Sequence, residues 1–169
     1  MPEISLDIVA AELQVRTALR DKIQALPGAG IWYTRMRDAL DLNEYKKLLK
    51  FVDGANGNNH TVRGGFVKFL GFNPSSEDGT MCRTPMKVIY EIEFVMEFED
   101  ERRNGSNSSD DFTALQLRFY DLIDRDSSLG INGFNCEMPQ LQNASEVELF
   151  DEFDAHLCSY RLECVLYGG

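Results

Sequence analysis

Glu91, Glu93, Glu97 and Glu99 are spaced for acid–base chemistry, because they recur at odd positions of an otherwise apolar run. On an extended strand, carboxylates two residues apart share a face about 7 Å from each other. At that separation one carboxylic acid can donate a proton while a second acts as base. That division of labour needs an apolar pocket to raise one of the two pKa values. A row of like charges favours a solvated acidic face instead. The remaining chemistry-bearing residues converge less well. His60 lies in a polar stretch and His156 beside a strand start, and neither has a Cys or second His at metal-ligand spacing. Asp124, Asp126 and Ser128 open like a calcium loop, but Leu129 and Asn135 stand where that loop requires Gly and Glu. Gly54-Ala55-Asn56-Gly57 and Arg63-Gly64-Gly65 lack the Lys-Ser/Thr pair of a phosphate loop. No serine sits in a G-x-S-x-G elbow, and no cysteine has an activating signature. Cys82, Cys136, Cys158 and Cys164 form no C-x-x-C pair. Cys158 and Cys164 fall on one expected strand, about 20 Å apart and beyond disulfide reach. The thiols therefore read as buried and free, as in a reducing compartment. The expectation is a protein that is not an enzyme and has no catalytic residues, metal or cofactor.

Charge narrows the partners. Seventeen basic against twenty-eight acidic residues leave a net charge of −11. Tight duplex binding needs several Lys or Arg on phosphates, and Arg16, Arg20, Lys22 and the Lys46-Lys47-Lys50 group are scattered or flanked by acids. Sequence-specific nucleic-acid binding and docking on an anionic membrane are both disfavoured. No apolar run reaches the eighteen or so residues of a membrane span, and Met1-Pro2-Glu3-Ile4 does not begin a secretory signal.

The elements that must position these residues follow from periodicity. Val9, Leu13, Leu19, Ile23 and Leu26 predict a helix over Leu6–Leu26, stopped by Pro27-Gly28-Ala29-Gly30. Ile31–Met36 reads as a strand. Leu42, Tyr45, Leu48, Leu49 and Val52 give Asp41–Val52 a helical spacing, and Asp53–Asn59 is turn-rich. Val62–Phe72 reads as a strand weakened by Gly64, Gly65 and Gly71, followed by a loop to Pro85. Met86–Phe98 is the clearest strand, with Met86, Val88, Tyr90, Ile92, Phe94, Met96 and Phe98 at every even position. A polar connector precedes a helix over Asp111–Asp124, capped by Ser109 or Asp110, with Phe112, Leu115, Phe119, Leu122 and Ile123 on its apolar face. Gly130–Asn135 breaks the chain. Glu137–Leu141 reads as a short strand, Glu146–Phe153 as strand or loop, and His156–Tyr167 as the closing strand. The fold class is α+β: a mostly antiparallel sheet with two long helices packed on one face. The 169 residues form a single domain with an inserted, loop-rich excursion at about 42–85. Within the excursion, Phe66, Phe69, Leu70 and Phe72 are either core or a docking surface for a partner or another subunit.

This order of elements resembles the tail terminator, or tail-completion, proteins of long-tailed bacteriophages. The likeness is carried by the first helix ending in Ala25-Leu26-Pro27-Gly28, the strand Ile31–Met36 and the alternating strand Val88–Phe98. The Ser/Asp-capped helix holding Phe112 and Leu115 and the final strand Tyr160–Tyr167 complete it. The resemblance implies a virion structural protein of the phage tail or neck, assembled in the host cytoplasm as a ring, usually a hexamer. Such a ring caps the tail tube protein and receives the head-side connector or stopper, while DNA passes through its lumen. It implies no catalytic residues. On that reading the acidic face of Glu91, Glu93, Glu97 and Glu99 could line the channel and repel phosphate. The excursion is longer than the family pattern. Other readings are a different neck or head–tail adaptor protein, a bacterial regulatory binding module, and a small ligand-binding or enzymatic α+β domain.

Overall fold

The computed structural model describes residues 7–35, 44, 47–52, 60–74, 85–98, 108–149 and 154–167. Helix α1 spans Ile8–Gln24, with Asp7 as its N-cap accepting a hydrogen bond from the Val9 N–H at 2.9 Å. Its buried stripe is Ala11, Val15, Leu19 and Ile23, while Val9 and Leu13 face solvent. The expected phase was therefore wrong in the first half of the helix. A six-residue step turns an α-helix through about 600°, which leaves Leu13 about 120° away from Leu19. The four-residue steps 11–15–19–23 keep one face toward the sheet.

The sheet has seven described strands: β1 (Ile31–Tyr33), β2 (Lys50–Val52), β3 (His60–Pro74), β4 (Met86–Glu97), β5 (Phe134–Cys136), β6 (Gln140–Leu149) and β7 (Asp154–Leu166). The pairing path is β1-β3-β4-β7-β5, with β2 added to β3 and β6 to β7. Only the β1–β3 pair is parallel, so the sheet is mixed but mostly antiparallel. Helix α2 spans Ser108–Arg125. It starts earlier than expected, so Ser109 and Asp110 lie inside its first turn, where Asp110 and Asp111 complement the helix dipole.

The β4 alternation does what its sequence requires. Val88, Tyr90, Ile92, Phe94 and Met96 face the same way as Cys158, Leu162, Cys164 and Leu166 of β7. The buried stripes of α1 and α2, including Phe112, Leu115, Phe119 and Ile123, cover them in one core. Both helices thus lie on one face, as the periodicity predicts. A smaller core occupies the other face: Leu49, Val62, Phe66, Val95 and Ala155, with Tyr33, Leu48 and Leu157 at its margin.

In its described part the excursion at 42–85 is helical at Glu44, Lys47 and Leu48, as the spacing predicts, and then runs into strands β2 and β3. Lys50–Val52, expected at the end of a helix, is strand β2 paired to β3. Leu48 is helical and Leu49 turns the chain into β2, and they are held by the Tyr33 hydroxyl donating to Leu48 O at 2.7 Å and by Arg63 N–H donating to Leu49 O at 2.9 Å. His60 opens β3 rather than lying in a loop. Phe134–Asn135, expected in a break, belong to β5, and β6 begins only at Gln140 and runs through Glu146–Leu149. Residues 36–43, 53–59, 75–84 and 99–107 lie outside the described residues, with the expectations that fall on them.

Gly65 of β3 has a steric reason. A Cβ on Gly65 would stand 2.0 Å from Glu93 O and 2.7 Å from the Trp32 ring. The bare backbone there makes room for an indole. Gly65→Ala is expected to lower stability by about 3 kcal/mol or to abolish folding, read as the urea midpoint. Leu117→Ala, on the solvent side of α2, is expected to change it by less than about 0.5 kcal/mol.

Candidate functional site

Three groupings of side chains stand out. The first is the far end of β3. Phe66 is fully buried (0% exposed) in the smaller core, stacked on Tyr33 at 5.9 Å, so it belongs to no docking surface. Phe69, Leu70 and Phe72 are 41%, 53% and 63% exposed. The β3–β4 register shifts between Phe69 and Gly71, with Phe69 opposite Tyr90 and Phe72 opposite Val88. Leu70 is the extra residue of a β-bulge. Because Tyr90 and Val88 both face the helices, Phe69 and Phe72 share that side. The Phe69 ring meets Tyr90 edge-on at 6.2 Å, and the Tyr90 hydroxyl lies 3.3 Å from Glu12 Oε1 in α1. Ile8 sits one turn before Glu12 and is exposed together with Val9 and Leu13. Exposed apolar residues of the start of α1 and of β3 therefore lie at this end of the molecule.

The second grouping is the glutamate row. It is not a strip of free, solvated carboxylates. Lys68 of β3 pairs with Glu91 at 3.5 Å and with Glu93, and the three side chains are all mostly covered. Glu97 accepts a hydrogen bond from the Val62 N–H at 3.1 Å. Glu99 lies outside the described residues. Farther along the same face Lys87 bridges Glu163 at 2.8 Å and Glu137 at 3.0 Å. Hydrogen bonds to these two glutamates hold the Lys87 ammonium up to about 12, while Lys87 and Arg161 together pull the Glu163 carboxyl below its usual range. Cross-strand pairing has replaced an acidic face with an alternating one.

The third is a buried contact that sequence spacing missed. Ser108 Oγ and His156 Nε2 are 3.0 Å apart, joining the start of α2 to β7. A serine–histidine pair can activate a nucleophile, but both residues are buried and the imidazole is stacked on Phe112 and edged by Phe98. The contact works as an anchor. Burial pulls the His156 pKa below its ordinary value, keeping the ring neutral. No local pattern announces the pair, because the two residues lie 48 positions apart.

Asp126 organises a turn rather than a metal loop. Desolvation opposes its charge, but bonds from Ser128 Oγ (2.8 Å), the Gly130 N–H (3.2 Å) and Lys22 Nζ (3.4 Å) outweigh it and hold the carboxyl below its usual range. Among the described residues no three His, Cys, Asp or Glu side chains converge as metal ligands, and no helix is long and apolar enough to cross a membrane. Cys136, Cys158 and Cys164 are free and buried. No family model matches this chain, and no curated protein matches it.

Two outcomes check these assignments. Lys68→Met leaves Glu91 and Glu93 facing each other and is expected to cost about 1 kcal/mol at low salt. The loss should shrink at high salt and with Glu91→Gln added; urea midpoints that ignore salt would mean the row is independent and solvated. His156 should also make stability pH-dependent in one direction. Its folded pKa is depressed below the unfolded value of about 6.5, so its contribution is complete above that pH and is lost as pH falls toward the lower folded value. The wild-type midpoint minus that of His156→Phe should therefore decline below about pH 6.5 and stay flat above it.

Proposed function

We propose that this chain is a structural subunit that works by assembling with copies of itself. In its sharper form, it is a tail-terminator-like virion protein whose ring, a hexamer in that family, caps a phage tail tube and meets the head-side connector. The observation that carries self-assembly is the exposed apolar end of β3 with an edge that no described strand pairs. Among the described residues, β1 and β2 cover the outer edge of β3 only as far as Phe66, which leaves Val67–Pro74 without a neighbour on that side. At the opposite margin of the sheet, β6 pairs only with β7 among the described strands. One subunit thus offers two unlike edges, the requirement for a head-to-tail contact, and head-to-tail contacts close into rings when the rotation allows. The terminator reading draws further support from the order of elements and from both helices lying on one sheet face.

The net charge of −11 suits a lumen that passes DNA without holding it. The glutamate row contributes little to such a wall, because Lys68 and Lys87 neutralise much of that face. On α2, Asp111 and Asp121 are likewise paired, with Arg63 at 3.7 Å and Arg125 at 2.7 Å, so the exposed Asp124 is better placed to carry the excess.

Mass photometry of the purified chain, alone and with tail tubes, followed by negative-stain imaging, tests the reading. Closed rings near six subunits, or rings on tube ends only, are expected. Phe72→Asp should abolish them while leaving the urea midpoint within about 0.5 kcal/mol of wild type, because Phe72 is exposed. A strict monomer that also ignores tubes would overturn the proposal.

A further inference from the structure

The geometry points to Cys136 and Cys164 as an oxidisable dithiol: a modification site that takes up an intramolecular disulfide joining β5 to β7 by exchange with a small-molecule disulfide of the oxidised-glutathione class. The two residues are directly opposite each other in the antiparallel β5–β7 register, and their sulfur atoms are 3.2 Å apart. The ladder hydrogen bonds fall on their neighbours. Glu137 N–H donates to Glu163 O at 2.7 Å, whereas Cys136 N–H turns away from β7 to Ser127 O at 2.7 Å. Cys136 and Cys164 are therefore a non-hydrogen-bonded pair, the kind whose Cα atoms approach to about 4.5 Å. That spacing lies inside the range a disulfide spans, roughly 4.4–6.8 Å. The bond can form with little backbone movement. Cys158 is six residues along β7 from Cys164 and sits opposite Phe94, so it has no comparable partner among the described residues.

Access sets the rate. Both thiols are buried, and burial pushes the Cys164 thiol well above its ordinary value, so thiolate is scarce in the closed fold. Strand β5 has three residues and pairs only with β7 among the described strands. Opening such an edge takes much less free energy than global unfolding. Once β5 opens, one protein thiolate attacks the small disulfide and expels one small thiolate, leaving a mixed disulfide. The second protein thiolate then attacks the protein sulfur of that mixed disulfide and expels the other small thiolate. Two protein thiols are oxidised, one small disulfide is reduced to two thiols, and the two protons pass to the departing thiolates. The closed loop contains β6 and most of β7, since the cysteines lie 28 positions apart. A cross-link of that span should lower the unfolding equilibrium constant by roughly several hundredfold.

The test uses the full chain, incubated with oxidised glutathione, quenched by alkylation and mapped by mass spectrometry. The expected product has lost two hydrogen atoms, gives a Cys136–Cys164 cross-linked peptide, has a raised urea midpoint and reverts with reductant. Cys158→Ala should form the same product, and Cys136→Ala should not. Because wild-type mapping carries the result, a variant that fails to fold leaves the test intact. Stable mixed disulfides, a bond through Cys82 or Cys158, or thiols that stay reduced in urea below the unfolding transition would each overturn the inference. It stands independently of ring formation.

Discussion

The Trp32 indole occupies the space that Gly65 leaves open, and much of the architecture hangs on that seat. Its Nε1–H donates to Ala29 O at 2.8 Å, its backbone N–H donates to Gln24 Oε1 at 3.0 Å, and its ring meets Phe94 edge-on at 4.8 Å. One side chain thus ties the end of α1, the turn after it, β1 and the central strand β4 together. The turn must bring the chain down steeply from the helix layer to the sheet, and Gly28 and Gly30 supply the positive φ values it uses. Arg118 of α2 donates to Pro27 O at 2.9 Å, so the second helix is fastened to the same turn. β1 then lies parallel to β3, with Trp32 opposite Gly65. Any side chain at position 65 would collide with the indole and with Glu93 O and push apart the strands that the pairing brings together.

What the sequence could reveal follows from which interactions are local. β4 and β7 were legible because a strand between two layers must alternate, and each even residue reports its own burial. The existence of α1 was legible, but not its phase, because two apolar stripes lie on it and only packing against β4 selects one. β3 is poorly legible for a physical reason. Glycine in a strand reads as weakness, whereas here Gly65 answers to an indole 33 positions earlier. The helical spacing of Leu48, Leu49 and Val52 holds as far as Leu48, but β2 starts two residues later because Lys50–Val52 pair with Val62–His60, a partner that local spacing does not reveal.

The same limit governed the candidate sites. Glu91 and Glu93 show their common face in the sequence, but the lysine between them comes from a neighbouring strand whose register no local pattern sets. Cys136 and Cys164 meet for the same reason, through a pairing of a three-residue strand. Once Lys68 and Lys87 are placed, the two sheet faces differ in kind. The outer face beyond the smaller core is a network of opposite charges that satisfy one another within the subunit. Unsatisfied surface is left at the end where β3 passes the start of α1.

The bulge at Leu70 decides what that surface is. In a regular strand Phe69 and Phe72, three residues apart, would point to opposite faces. Phe72 would then fall on the side of Lys68 and Lys87, and the aromatic pair would be divided between an apolar and a charged environment. The one extra residue restores the phase, so both rings face the helix side beside Tyr90 and Val88. A bulge also twists an edge away from indiscriminate strand pairing. The aromatic end of β3 is therefore more than core residue left uncovered where the helices stop. The backbone irregularity gathers apolar side chains on one side, and it restrains the adjacent edge, open among the described residues, from pairing with any strand that passes. That combination favours a contact selective for a partner of matching shape over non-specific aggregation.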